Sequence, residues 1–392
     1  MCRLLYCCCI PPLPLSARAQ YSIGLILACI LALLFKTHGL EWFPYRQTPE
    51  CGMACWNTLA VYRISFGLVI YHAFLMVFLI GVSDPSDPRI HVQNGLWPVK
   101  FVVFVGVMVG PFYMANHLFY QYWIACLIFS AMFVILQSII LVDMARTISE
   151  HCIEMYDQTQ SILAKILLLS TTFICTTGFI AITVVLYIFY GNCILNRVFI
   201  SVNLIMNLAQ MGVSVVPKVL ENHAKGGLLP SSVLALYNTF LVAVSAVSNP
   251  DHCQIGVVWA STANATKTSG DTAVEVAGIA FLVINIAYLA FSTSTMDISG
   301  KSSVAVSSDQ GETIEYNFSV FHLIFILTAF YMASVFTNWS VFSISTVAGV
   351  DLSAVDKGVG PMWVSVATSW INVLLYIWSL LAPIVFSNRD FS

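Results

Sequence analysis

The sequence predicts an all-α polytopic membrane protein with ten transmembrane helices. Three observations point there. Hydrophobic residues make up 59% of the 392 positions and charged residues 9%, whereas soluble domains carry about 25% charged residues. Mean hydropathy is +0.85. The apolar runs are unbroken and about twice the length of the ~10-residue alternating strands of a membrane β-barrel. These features exclude a water-soluble globular domain, a disordered chain and a barrel. A net charge of −3 gives no sign of nucleic-acid binding. Twelve cysteines are too few for a disulfide scaffold in a chain this long.

A helix crossing hydrocarbon needs about 20 mostly apolar residues. Ten segments meet or approach this, at about 21–35, 59–81, 96–115, 118–143, 162–190, 194–216, 231–249, 273–292, 317–339 and 362–386. The first has only about fifteen clean apolar residues before Lys36. A cleaved signal peptide is the rival reading there. It is rejected because Pro11, Pro12 and Pro14 precede the apolar run and no small-residue cleavage site follows. The fourth span, continued through Asp143 to about Glu150, exceeds the bilayer thickness and must tilt. Ahead of the membrane domain, 21–392, lies a Cys-rich segment, 1–20, with Cys7, Cys8 and Cys9 as palmitoylation candidates.

Ten crossings put both termini on one side. Ten of the sixteen basic residues fall there and six on the other side, which favours cytosolic termini. The loop 250–271 is then luminal and carries the sequon Asn264-Ala-Thr266; Asn317-Phe-Ser319 is cytosolic. The Ser-rich acidic loop 293–316 reads as a solvated cytosolic linker. Cys51, Cys55, Cys193 and Cys253 fall on the luminal side, where disulfides persist. Cys29, Cys126 and Cys175 lie within spans as small apolar packers.

No nucleotide-binding loop, HExxH motif, metal-ligand spacing or nucleophile elbow occurs, so no enzyme, metal or cofactor is expected. The informative residues are polar ones inside the membrane, where an unpaired group costs several kcal/mol, to order of magnitude. In the sixth span Asn196, Asn203, Asn207, Gln210 and Ser214 fall within a sector about 60° wide at 100° per residue. In the tenth, Ser365, Ser369, Asn372, Tyr376 and Ser379 fall within about 80°. The fourth adds Gln137 and ends near Asp143; Arg63 and Lys100 lie just inside the second and third. Two readings stand: interhelical hydrogen bonds that join helices, or a track for lipid headgroups through Asn203, Asn207, Gln210, Gln137 and Asn372. Arg63, Lys100 and Asp143 are charged groups at the membrane boundary, and His322 is either a packed or a proton-handling group.

Several stretches together resemble the serine incorporator family. They are Ala60-Val-Tyr-Arg-Ile-Ser-Phe66, Asp87-Pro-Arg89, Gln93-Asn-Gly-Leu-Trp97, Ile135 through Asp143, Phe199 through Ile205, Gly227-Leu-Leu-Pro-Ser-Ser232, Tyr316 through His322, Thr337-Asn-Trp339 and the terminal Asn388-Arg-Asp-Phe-Ser392. The resemblance implies ten helices in two bundles divided by a long tilted helix, the fourth span. It also implies a role in phospholipid and sphingolipid homeostasis, either by ATP-independent lipid scrambling or as a serine-binding carrier or scaffold for phosphatidylserine and sphingolipid synthesis. Partners would be membrane phospholipids, serine or lipid-synthesis enzymes, at the plasma membrane or in endomembranes. A monomer and a homo-oligomer both fit. The chain departs from the family pattern in a proline-rich amino terminus with fewer cysteines and in short loops at 36–58 and after the eighth span.

In a glycosylating host, Asn264 should carry a glycan. A glycosidase-sensitive mass shift that survives Asn264→Gln defeats that assignment. Non-reducing peptide mapping of the same preparation should join Cys193 to Cys253, and recovery of both as free thiols ends the pairing.

Overall fold

The computed structural model describes residues 16–42, 53–82, 84, 86–222, 227–250, 269–291, 317–347, 350–356 and 358–385. The membrane helices are α1 (Ala17–Trp42), α2 (Met53–Phe78), α4 (Trp97–Val109), α5 (Asn116–Thr159), α6 (Ile162–Tyr190), α7 (Ile194–Ser214), α9 (Leu228–Ser248), α10 (Ser269–Phe291), α11 (Phe318–Phe336) and α12 (Val359–Val385). Two short helices, α3 (Ile90–Asn94) and α8 (Pro217–Asn222), lie between them. Among the described residues nine helices are long and apolar enough to cross a bilayer. The third expected span is shorter: α4 is extended by a 3-10 turn, Gly110–Tyr113. Gly110 and Pro111 tighten its end. The two pieces together reach about 28 Å, close to one hydrocarbon thickness.

The helices form two bundles. In the first, α1, α2, α4, α10 and α11 pack together; in the second, α6, α7, α9 and α12 do. The 44-residue α5 lies between, touching α2 and α11 on one side and α6, α9 and α12 on the other. At 1.5 Å per residue it is about 66 Å long, so it crosses at a tilt and overhangs the bilayer. Each bundle has one enclosed helix. Over their most apolar windows α9 and α11 are each 83% buried and α6 only 17%, which makes α6 the main lipid-facing helix of the second bundle. Leu163, Phe173 and Ile174 of α6 stand exposed accordingly.

The sequence reading missed one element. Between α11 and α12 runs an antiparallel hairpin, β1 (Val341–Val347) and β2 (Val350–Asp356), in register from Val341 opposite Asp356 to Val347 opposite Val350. The all-α expectation holds for the membrane domain but not for this loop. The alternation Phe342-Ser-Ile-Ser345 has the period of a strand.

Several family-like stretches turn out to be helix ends. Asn317 caps α11, its side-chain oxygen accepting from the Ser319 and Val320 amides at 3.0 and 3.2 Å. Thr337, Asn338 and Trp339 close the same helix. Asn338 and Trp339 take positive φ of 52° and 57°, and the Trp339 amide bonds the Ser334 carbonyl at 2.7 Å. Arg89 grips the carbonyls of Phe78 and Ile80 beyond α2 and pairs with Asp87 at 2.8 Å. Its hydrogen bonds hold the Asp87 carboxyl below the usual carboxylate range.

Close approach of α2 and α4 rests on Gly67. A Cβ there would lie 2.7 Å from the Val107 carbonyl oxygen and 2.7 Å from Met108 Cε. Gly67→Ala should therefore destabilise the protein by about 1–3 kcal/mol. Gly24→Ala, with nothing within 4 Å of its Cβ, should not. Equal melting temperatures for the two variants in detergent would contradict this packing.

Candidate functional site

The polar stripes of α7 and α12 meet a third on α9. Ser231, Asn238, Ser245 and Asn249 recur within a sector about 40° wide, a signal present in the sequence but not used above. Asn207 is the hub. Its amide donates to the Asn203 carbonyl at 2.9 Å and to Asn203 Oδ1 at 2.8 Å. Its own Oδ1 accepts from Gln210 and from Asn238 of α9, both at 3.1 Å. Asn203 donates to Thr239 at 3.0 Å and Gln210 to the Ser231 carbonyl at 3.2 Å. Asn372 of α12 donates to Asn238 at 3.2 Å and accepts from Ser138 of α5 at 3.0 Å. Gln137 accepts from Tyr237 at 2.8 Å, and Asn249 donates to Asn196 at 2.9 Å. The result is a seam of amides and hydroxyls through the second bundle, shared by α5, α7, α9 and α12.

Every amide in this seam is buried, with Asn207, Gln210, Gln137, Asn196 and Asn238 at 0% exposure. In this conformation the expected track residues are therefore interhelical contacts, closed to lipid. The seam also keeps spare capacity. Among its buried polar atoms, Gln137 Nε2, Gln210 Oε1, Asn196 Nδ2, Ser245 Oγ and Ser365 Oγ have no hydrogen-bond partner. Such groups cost about 1–3 kcal/mol each and call for a specific explanation in a folded protein.

The first bundle uses cations instead. Buried Lys100 donates to the Gln93 carbonyl at 2.9 Å and lies 4.0 Å from the centroid of Trp97. The Gln93 side-chain oxygen meets His322 Nε2 at 3.0 Å, and His322 Nδ1 meets His72 Nδ1 at 3.0 Å. Tyr21 stands edge-on to His322, ring centroids 5.0 Å apart. The stretch Gln93-Asn-Gly-Leu-Trp97 thus builds a turn. The Trp97 indole donates to the Asn94 carbonyl at 3.1 Å, and Leu96 takes a positive φ of 56° to start α4. His322 is packed and hydrogen-bonded here. At the other end of α4, Arg63 binds the carbonyls of Pro111 and Met114 and reaches Asn116 Oδ1 at 2.5 Å. It lies 4.6 Å from the Phe119 ring centroid. Neither Arg63 nor Lys100 snorkels; both close helix ends. Asp143 accepts from Tyr288 of α10 at 2.6 Å, joining α5 to that helix.

Cys55 and Cys193 are disulfide-bonded. Cys51 and Cys253 lie outside the described residues, as do Cys7, Cys8, Cys9, Asn264 and the loop 293–316. Cys29, Cys126 and Cys175 are free, as is Cys152. Among the described residues no cluster of His, Cys, Asp or Glu could hold a metal.

The family model described as Serine incorporator (Serinc) matches residues 1–310 and 297–389. A probable serine incorporator of Nematostella vectensis is 28% identical over 425 residues, covering 96% of this chain and 91% of its own length. A Schizosaccharomyces pombe membrane protein is 30% identical over 357 residues, covering 86% and 80%. Serine incorporator 3 of Mus musculus is 27% identical over 457 residues, covering 100% and 95%.

As the hub, Asn207 should be the most sensitive amide of α7. A double-mutant cycle of Asn207→Ala and Asn238→Ala, read by thermal unfolding in detergent, should give a coupling of about 0.6–1.7 kcal/mol. Strict additivity would mean that the contact between these two amides does not hold the helices together.

Proposed function

The chain belongs to the serine incorporator family, and from that premise we propose that it equilibrates phospholipids between membrane leaflets without ATP. On this reading the membrane is the plasma membrane or an endomembrane, the termini are cytosolic, and the chain has no catalytic step. The observation that carries it is the buried polar seam with unfilled donors and acceptors. A headgroup entering hydrocarbon loses its hydration at a cost of several kcal/mol or more, to order of magnitude. Amides and hydroxyls spread along four helices replace that hydration piece by piece. Scrambling runs down an existing gradient, so it needs only this lower barrier.

The seam is closed at rest, and it must part between α7 and α9 for a headgroup to enter. Its contacts are neutral and worth about 0.6–2 kcal/mol each, so a headgroup offering equivalent hydrogen bonds can exchange with them. The acyl chains stay outside, along lipid-facing α6 and α7. Phospholipids are the partners, and a serine headgroup supplies an ammonium and a carboxylate for the same amides. Serine-binding or scaffolding support for lipid synthesis is the alternative. It predicts serine binding by a protein that does not scramble.

The spare atoms permit a clean test. Ser245 and Ser365 lie on the same faces as Asn238 and Asn372, seven residues away along their helices, and their hydroxyls have no partner. Ser245→Ala with Ser365→Ala leaves every seam hydrogen bond in place, so stability should hold or rise by about 1 kcal/mol. Dithionite quenching of a labelled lipid in proteoliposomes should nonetheless show scrambling slowed by about tenfold. A stable double variant that scrambles at the wild-type rate removes the spare hydroxyls from the mechanism. A wild-type chain that does not scramble removes the reading.

A further inference from the structure

Arg146 lies one turn beyond Asp143 on α5, a helix that packs against α9 and α12. It is half-buried, and its Nε is enclosed without a hydrogen-bond partner. Among the described residues it makes no ion pair and no other hydrogen bond. The nearest carboxylate along the helix, Asp143, is committed to Tyr288 of α10 at 2.6 Å. The hydroxyl of Tyr376 on α12 lies within electrostatic reach of the guanidinium, and Ser231 of α9 lies near that hydroxyl. Both residues are buried. Ser231 also belongs to the seam, since its carbonyl accepts from Gln210 and its hydroxyl meets Ser214 at 3.0 Å.

The depth of this group matters. Asn116 starts α5 at the level where Arg63 closes the far end of α4. Arg146 is thirty residues further on, about 45 Å along the helix axis, more than the roughly 30 Å of hydrocarbon even after tilt. The guanidinium therefore stands at headgroup depth, at the end of the seam opposite Asn196 and Asn249. The nearby α12 stretch presents Leu374, Leu375 and Trp378 exposed to lipid. An unpaired planar cation within electrostatic reach of a phenol, at headgroup depth and near an exposed apolar surface, matches a phosphodiester. Its fork can bind two phosphate oxygens at once.

We propose that Arg146, with the Tyr376 hydroxyl, is a phosphate-binding site that receives a membrane phospholipid at this mouth of the seam. The choice of a lipid phosphate over a soluble one rests on the lipid-moving reading; the anion site itself does not.

The test titrates the full-length chain in detergent with dihexanoyl-phosphatidylserine, with dihexanoylglycerol, which lacks the phosphate, and with inorganic phosphate, following tryptophan fluorescence and thermal shift. The short-chain phospholipid should bind, and Arg146→Gln should weaken it about tenfold or more, with Arg146→Lys between the two. Tyr376→Phe should weaken it about threefold. Because the last two variants are conservative, they decide the matter if Arg146→Gln proves unstable. Equal binding by wild type and the Arg146 variants overturns the site, as does equal binding of dihexanoylglycerol. Arg146-dependent binding of inorganic phosphate as tight as that of the phospholipid keeps the anion site and assigns it to a soluble ligand. Scrambling in proteoliposomes separates the two ideas. Arg146-dependent phospholipid binding by a wild-type chain that does not scramble upholds the site and rejects the scramblase. Scrambling by the wild type, with unchanged binding in the variants, does the reverse.

Discussion

Hydrocarbon offers no hydrogen bonds, so most polar side chains buried among these helices take their partners from other parts of the same chain. That constraint orders the fold. A soluble protein can let an asparagine face water; here Asn203, Asn207, Asn238 and Asn372 have to face one another, and α7, α9 and α12 are brought together as a result. The same requirement reaches into the two most enclosed helices. α9 carries Ser231, Asn238 and Thr239, and α11 carries His322 and Thr328, all buried.

The two bundles meet the constraint with different chemistry. In the first, Arg63 and Lys100 are buried cations bound to carbonyls and aromatic faces. Removing either would leave a helix end open in lipid, so these contacts are costly to break and fix α2 and α4 in place. In the second, neutral amides share donors and acceptors, and each bond can be exchanged for a similar one. The first bundle is a frame held by charged contacts at its helix ends, the second is joined by neutral contacts along its length, and α5 touches both.

Much of this was legible in the sequence. Long apolar runs gave nine of the ten spans, because hydropathy responds directly to the bilayer. The stripes on α7 and α12 were legible because a helix face repeats every 3.6 residues. What the stripes meant was not legible. Gln210 has the same spacing whether it bonds Asn207 or a lipid, and only the third stripe on α9 decides what it touches at rest. The knot around Gln93 joins residues from α1, α2, α3, α4 and α11, and no one-dimensional pattern links Tyr21, His72 and His322. The hairpin was missed because its period-two signal, Val341 to Val347, is short and follows directly on a helix.

Arg63 ties the first residue of α5 to the frame. The other end of that helix, forty-three residues away at Thr159, extends past the bilayer. The rod also carries Gln137, Ser138 and Asp143 in contacts with α9, α12 and α10, so its angle is shared between the bundles. A change of about 5° in its angle, pivoting at Asn116, moves Thr159 by about 6 Å, given a length of about 66 Å. The middle of the rod, at Gln137 and Ser138, moves by about half as much, roughly the width needed to separate two hydrogen-bonded side chains. The last turns of α5, with Glu150, Glu154 and Asp157, are thus a handle in water whose position is geometrically coupled to helix spacing in the membrane.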